Sequence, residues 1–439
     1  MHRLISFVAL SSALLLIAPA RAADMPDLSG ALFVCQATGD NKNPGSKDKP
    51  YKNIDKAAKE AKTGQVIAVC EGTYAGTFDI GYVEFKKAVK LYGSYSPDFS
   101  ARSLAKHATR FAPDNASGAK ARKALFKFTG EVKDAVVDGF ILDMGGRNSY
   151  HPTEGKPDGL ATGMLTLPPA KGGDDKPTVT EPCLSIPSAA KEGDMTFSNN
   201  VFANCASFGI QAGLRGGTLK IRNNLFVANR MAAVEAYGTC RAQGSGPSAK
   251  LTTVCGNVDF GYNTVLFTWS RIKDLKDMGY GFRVMTMVSY DIHNNIFGGN
   301  VQGGVDHTRF NQNPLKLDNN IFFVNKAADF EYSPASNTKL TLTTDKFGDL
   351  EFASVTGNET KIPKTLPVDK AYLEGFLNVR YSEKLDYNPD SPANQFREAM
   401  GMNKQGKMSS KVSMYGNRYP TEQAAGFFGA VADRGTQAF

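Results

Sequence analysis

Tryptophan is almost absent from this chain, with one in 439 residues, and no two cysteines stand at Cys-x-x-Cys spacing. The second absence makes a thiolate metal cage the weaker use of the six cysteines. After residue 22 no apolar run reaches the eighteen or so residues that cross a bilayer, so no transmembrane segment is expected. There is also no glycine-rich nucleotide loop, nucleophile elbow or zinc-protease helix, which sets aside the chemistries those motifs serve.

Hydrophobic residues make up 41% and charged residues 21%, enough apolar material for a core and too little charge for a disordered polymer. The net charge of +8 suits a polyanionic partner without choosing one. Residues 1–22 have Arg3, an apolar run from Leu4 to Pro19 and then Ala20, Arg21 and Ala22. That order is the n-region, h-region and A-x-A site of a signal peptide, so cleavage after Ala22 and a periplasmic or extracellular location are expected. All six cysteines follow that segment, and in an oxidising compartment an even number predicts disulfides. Their order suggests Cys35–Cys70, Cys183–Cys205 and Cys240–Cys255, the last pair bracketing one inserted loop.

Internal repeats decide the architecture. Five segments align, Met195 to Phe202, Leu219 to Phe226, Val258 to Val265, Tyr290 to Phe297 and Leu315 to Phe322. Their shared Asn falls at positions 200, 224, 263, 295 and 320, in steps of 24, 39, 32 and 25. Before it, apolar and polar residues alternate with the two-residue period of a strand that buries one face. A step near 24 is one turn of a β-solenoid, and the longer steps are turns with insertions. Period-2 alternation excludes a helical repeat, and a propeller blade needs about 40 or more residues every time. Sixteen of the 28 asparagines lie within residues 196–325. One per turn can share its amide with the turns above and below, a ladder that closes tight corners. Phe, and not Tyr or Trp, dominates after the Asn pairs, which indicates stacking in the core and not a sugar platform.

Ile54, Ala57, Ala58 and Ala61 share one helical face and Gly64 follows, predicting a short helix over 53–63 that plugs the open end of the coil. The expected domains are a signal peptide (1–22), a solenoid (23–345) with a long loop at 145–182, and an irregular C-terminal region (346–439) that packs on or caps the coil.

The strings CQATGDNKNPGS from Cys35, KPYKNI from Lys49, GQVIAVCEGTY from Gly64 and LYGSY from Leu91 resemble the opening of secreted bacterial right-handed parallel β-helix proteins of the pectate-lyase-like superfamily. The resemblance spans roughly residues 31–340. It implies an all-β, right-handed parallel β-helix, and activities that include pectate and alginate lyases, epimerases, polygalacturonases, esterases and surface proteins without catalysis. The Asp-Pro-His-Asp element of mannuronan epimerases is absent. Asp306 and His307, followed by Thr308 and Arg309, share with it only an Asp beside a His, so no catalytic residue is carried over.

Counting eleven residues past each ladder Asn gives Gln211, Glu235, Asp306 and Glu331, and pattern matching brings Arg283 into the interrupted turn. These five are expected as one outward row, with neighbours ~4.8 Å apart. Such a row has the parts for uronate chemistry. Arg283 can take the sugar carboxylate, Glu235 or Asp306 can move a proton, and Asp306 with Glu331 can hold Ca²⁺. As a hydrolase, Glu235 and Asp306 would stand ~9.6 Å apart, at the inverting end of the glycosidase range. His307 is a further candidate proton-transfer group, although alternation turns it inward, and Gln211, Tyr237 and Arg309 are candidate substrate contacts. The competing reading is an ion-pair ladder of Glu235, Arg283 and Asp306 on a solvated face. A second stripe, Arg222, His293 and Asp318 with Lys220, Asp259, Asp291 and Lys316, reads as surface pairing. The functional expectation is an exported, monomeric protein that cleaves an acidic polysaccharide by β-elimination and does not bind nucleic acid. The alternative is a non-catalytic carbohydrate-binding or structural scaffold of the cell envelope or extracellular space.

Overall fold

The computed structural model describes residues 25–76, 82–112, 124–130, 132–145, 181–187, 192–246, 249–269, 279–307, 313–333, 338–350, 353–380, 388–406 and 418–439. The expected signal segment (1–22) and nearly all of the expected loop at 145–182 lie outside them. Among the described residues the strands form three long sheets, of ten, nine and nine strands, that run along a coil. Successive strands of each sheet come from successive turns and pair in parallel; the one antiparallel pairing, of Leu340–Leu342 with Ala328–Tyr332, closes the third sheet.

Asparagine makes the corner between the first and second sheets. The first Asn of each pair is left-handed, with φ of 57° at Asn199, 59° at Asn223, 56° at Asn294 and 55° at Asn319. Asn tolerates that region better than most residues because its short amide can bond locally. The second Asn is fully buried and forms the ladder. Asn200, Asn224, Asn263, Asn295 and Asn320 each donate backbone N–H and side-chain Nδ2 to Oδ1 of the next, at 2.8–3.1 Å, and Asn358 ends the run. The same Nδ2 groups also donate to a strand carbonyl, as Asn295 does to Phe260 O at 2.9 Å. A second, shorter ladder lines the next corner. Asn229 Oδ1 accepts from Cys205 N at 3.0 Å, Asn300 Oδ1 from Thr268 N at 3.1 Å, and Asn325 Oδ1 from Asn300 Nδ2 at 2.9 Å.

Inside the coil, phenylalanines stack from turn to turn: Phe202 on Phe226 at 4.9 Å and Phe297 on Phe322 at 5.1 Å between ring centres. Helix Ile54–Glu60 buries Ile54, Ala57 and Ala58 against the first turn, where the apolar end of the coil would otherwise meet water. The disulfides are Cys35–Cys70, Cys183–Cys205 and Cys240–Cys255.

The coil runs past residue 345. Strands Ala353–Thr356 and Glu359–Thr360 pair with Leu315–Asp318 and Ile321–Phe323. Gly357, at φ 66°, replaces the first Asn of the corner pair. The C-terminal region is also less irregular than expected. Helices Lys370–Arg380 and Pro392–Ala399 put Tyr372, Leu373, Phe376 and Phe396 into one apolar cluster with Leu225, Phe267, Ile296 and Phe323 on the outside of the second sheet. From Arg418 onward the chain lies along the corners, first at the one after the second sheet and then, at its last residues, along the one between the first and second sheets. Tyr419 N donates to Asn204 Oδ1 at 2.7 Å, Gly435 N to Asn294 O at 2.8 Å, and Asn223 Nδ2 to Gln437 O at 3.2 Å. The Phe439 ring ends under the Arg102 guanidinium, 4.8 Å away.

Candidate functional site

In the third sheet, strands Phe208–Leu214, Ala232–Gly238, Tyr280–Val284, Gly303–His307 and Ala328–Tyr332 lie side by side. Their flanking residues Ile210, Ala212, Val234, Ala236, Phe282, Val284, Val305 and Phe330 fill the core, so alternation turns the residue between them away from it. The register is continuous: Gln211 opposes Glu235, Glu235 opposes Arg283, Arg283 opposes Asp306, and Asp306 opposes Glu331. Ser185 extends the row on the N-terminal side.

Four of the five side chains, Gln211 to Asp306, form a chain of contacts. Gln211 Nε2 donates to Glu235 Oε1 at 2.9 Å, and Arg283 Nη1 lies 3.1 Å from Glu235 Oε2. Arg283 Nε lies 3.2 Å from Asp306 Oδ2. Glu331 accepts from the Tyr280 hydroxyl and pairs with Lys339. Arg283 Nε and Nη2 are both buried and make no hydrogen bond among the described residues, and of the two only Nη2 also lacks a carboxylate contact. Exposure is 9% at Glu235, 4% at Arg283, 1% at Asp306 and 2% at Glu331, so the row is not the solvated face that the ladder reading assumed. Alternation fixes which side of the sheet a residue faces, and says nothing of what lies over that side.

Burial decides several of the remaining expectations. Arg283 occupies the turn between Glu235 and Asp306, so the gap that an inverting hydrolase needs for its water is filled by a guanidinium. His307 faces the core with its ring against Phe330 and Tyr332, and burial pushes its imidazole down to about 4. It is neutral at pH 7 and is a core residue instead of a group on the outer face. Tyr237 lies on the same side of its strand as Glu235 and is half-buried; desolvation first, and then the Glu235 charge, raises its hydroxyl pKa. Arg309 lies outside the described residues. Asp306 and Glu331 do not fit a Ca²⁺ site, which takes six to eight oxygens. Their carboxylates face Arg283 and Lys339, and among the described residues no group of three or more His, Cys, Asp and Glu side chains could hold a metal ion.

Tyr280 and Lys339 complete the row and escaped the sequence reading. Tyr280 is three residues before Arg283, off the counted position, and Lys339 precedes the antiparallel return strand, where the repeat gives no register. The second stripe is paired throughout. Arg222 Nε is 2.9 Å and His293 Nε2 3.2 Å from the Asp259 carboxylate, while Lys316 and Lys220 pair with Asp291 and Asp194. The hydrogen bond to Asp259 raises the His293 pKa against the opposing effect of burial.

Residues 188–346 match the family described as right handed beta helix region, and residues 37–108 a family described as a protein of unknown function. With its three parallel sheets, the chain is a right-handed parallel β-helix. Among solved structures it is similar to a rhamnogalacturonan lyase (11% identity, TM-score 0.38, covering 78% of this chain and 92% of that one). It is also similar to the pectate lyase Pel9A (12%, TM-score 0.37, covering 93% and 96%) and to XylC in complex with xylose (12%, TM-score 0.33, covering 69% and 68%). Likenesses of this size carry nothing about activity. No curated protein matches the chain. No helix among the described residues is long and apolar enough to cross a membrane.

Proposed function

We propose that this chain is an exported β-helix protein that binds an acidic polysaccharide on the outer face of its third sheet and cleaves it by β-elimination. The observation that carries this reading is the row Gln211, Glu235, Arg283 and Asp306, in which one guanidinium lies between two carboxylates with a buried N–H group still unused. Elimination from a uronate needs its carboxylate neutralised and the proton on the adjacent carbon removed. In this reading Arg283 Nη2 takes the sugar carboxylate. Glu235, whose side chain keeps 12% exposure against 1% for Asp306, removes the proton. The C–H electron pair becomes the new double bond as the glycosidic C–O bond on the next carbon breaks. Asp306 positions the guanidinium, and Gln211 and Tyr237 contact neighbouring sugars. Export is supported by the apolar segment at residues 4–19 and by three disulfides.

A second reading, a non-catalytic scaffold, is favoured by the engagement of the same guanidinium, since Nε and Nη1 both face carboxylates. Incubation with alginate, pectate and glycosaminoglycans while following unsaturated-product absorbance separates the two. The lyase reading expects absorbance to rise with at least one polymer and to be lost in Glu235→Gln. No rise with any of them removes it and leaves the scaffold.

A further inference from the structure

The N-terminal plug and the first turns of the coil border a half-open cavity of about 520 Å³. Lys56 and Lys59 reach it from helix Ile54–Glu60, Lys86 and Lys87 from the turn after strand Val83–Phe85, and Tyr82 and Asn41 form part of its wall. Two of the four lysines are committed, Lys56 to Glu60 at 2.8 Å and Lys87 to the carbonyl of Ala61 at 2.6 Å. Lys59 and Lys86 are exposed and make no ion pair among the described residues. Two lysines from separate elements therefore line one concavity without an ion-pair partner among the described residues. Asp55 and Glu84 also line it, and with Lys56 offset by Glu60 the local excess is one positive charge.

We infer that this cavity is a binding site for a short carboxylate-bearing oligosaccharide, at the opposite end of the coil from Glu331 and Lys339. Its volume lies in the range of small-ligand sites and accommodates two or three sugar rings. The mixture of signs selects among anions. Lys59 and Lys86 neutralise sugar carboxylates, while the exposed Glu84 carboxylate, one oxygen of which accepts from the Thr129 hydroxyl at 2.8 Å, offers its other oxygen to a sugar hydroxyl. A polyphosphate chain offers no hydroxyl to Glu84. Tyr82 supplies a ring of the kind that packs against a sugar face. The inference shares a ligand class with the proposed function but none of its residues.

The test is isothermal titration of the full disulfide-bonded protein with trigalacturonate, trimannuronate and neutral maltotriose. Expected are binding of at least one acidic trimer, none of maltotriose, weakening as salt screens the lysines, and a loss of at least tenfold in Lys59→Glu/Lys86→Glu. The milder Lys59→Gln/Lys86→Gln pair should weaken binding in the same direction, and both lysine pairs sit on exposed positions, so an unchanged melting midpoint shows that the fold is intact. Glu235→Gln should leave this binding as it is, even where it abolishes polymer cleavage, so the two proposals fail separately. Equal binding of maltotriose, no binding of either acidic trimer, or full binding by both lysine variants would overturn the inference.

Discussion

Arg283→Met tests the row most sharply, because burial changes the magnitude expected of it. On a solvated face, loss of an ion-pair partner costs below ~1 kcal/mol. Here the Arg283 side chain is 5% exposed, and its removal leaves the Glu235 and Asp306 carboxylates, 12% and 1% exposed, without their shared cation. Breaking a buried pair in this way costs about 3–5 kcal/mol, since the stranded charge has already lost its water. Methionine fills most of the space, so little of the loss would come from a cavity. The control is the uncharged row Glu235→Gln/Arg283→Met/Asp306→Asn, which removes the stranded charges and should recover most of the stability even though it removes three charged groups. Urea unfolding followed by circular dichroism is the assay, with the slope checked for constancy, because guanidinium salt would screen the effect being measured. A single variant within ~1 kcal/mol of wild type, or a triple variant no more stable than the single, would refute the argument that burial and not pairing sets the cost.

Asn295→Leu should cost ~1–3 kcal/mol for each buried group it leaves unpaired, read as a lower thermal midpoint; Asn295 Oδ1 accepts from both Asn263 N and Asn263 Nδ2, so an unchanged midpoint would remove the ladder from the account of stability. His293 titrates with a raised pKa in the folded chain. Its contribution is therefore fully present below the unfolded value near 6.5 and is lost as pH rises through the folded one. Midpoints measured from pH 5 to 9 should show that loss in wild type and not in His293→Gln; identical profiles would count against it. Replacing both Cys240 and Cys255 with serine opens a 15-residue loop and should cost ~2–4 kcal/mol, measured by thermal unfolding under non-reducing conditions.

The row was legible in the sequence because two independent periods agree. The Asn pair fixes where each turn begins, and alternation then fixes which residue eleven places later faces out. Arg283 needed pattern matching, since an insertion breaks the count between Asn263 and the strand that contains it. The second ladder was legible too, and was missed: Asn229, Asn300 and Asn325 each stand five residues after Asn224, Asn295 and Asn320. What no period could show was depth. The burial of Arg283 depends on what lies over the sheet, and the Lys59 and Lys86 cavity joins a helix to a turn more than twenty residues away. The expected end of the coil at 345 was early because Gly357 and Asn358 do the work of an Asn pair in a different spelling.

A solenoid whose turns touch only their neighbours unravels from its ends, one repeat at a time. The last residues here run against that tendency. Between Gly435 and Phe439 they bond in turn to Asn294, Thr264 and Asn223 and finish on Arg102, crossing turns that otherwise meet only through those between them. A turn held from outside in this way cannot open without also releasing its distant companions. The coil therefore behaves as a spring with a splint along one edge. Amide exchange along that corner should report a single cooperative unit, where the sheets alone would give a gradient falling toward each end.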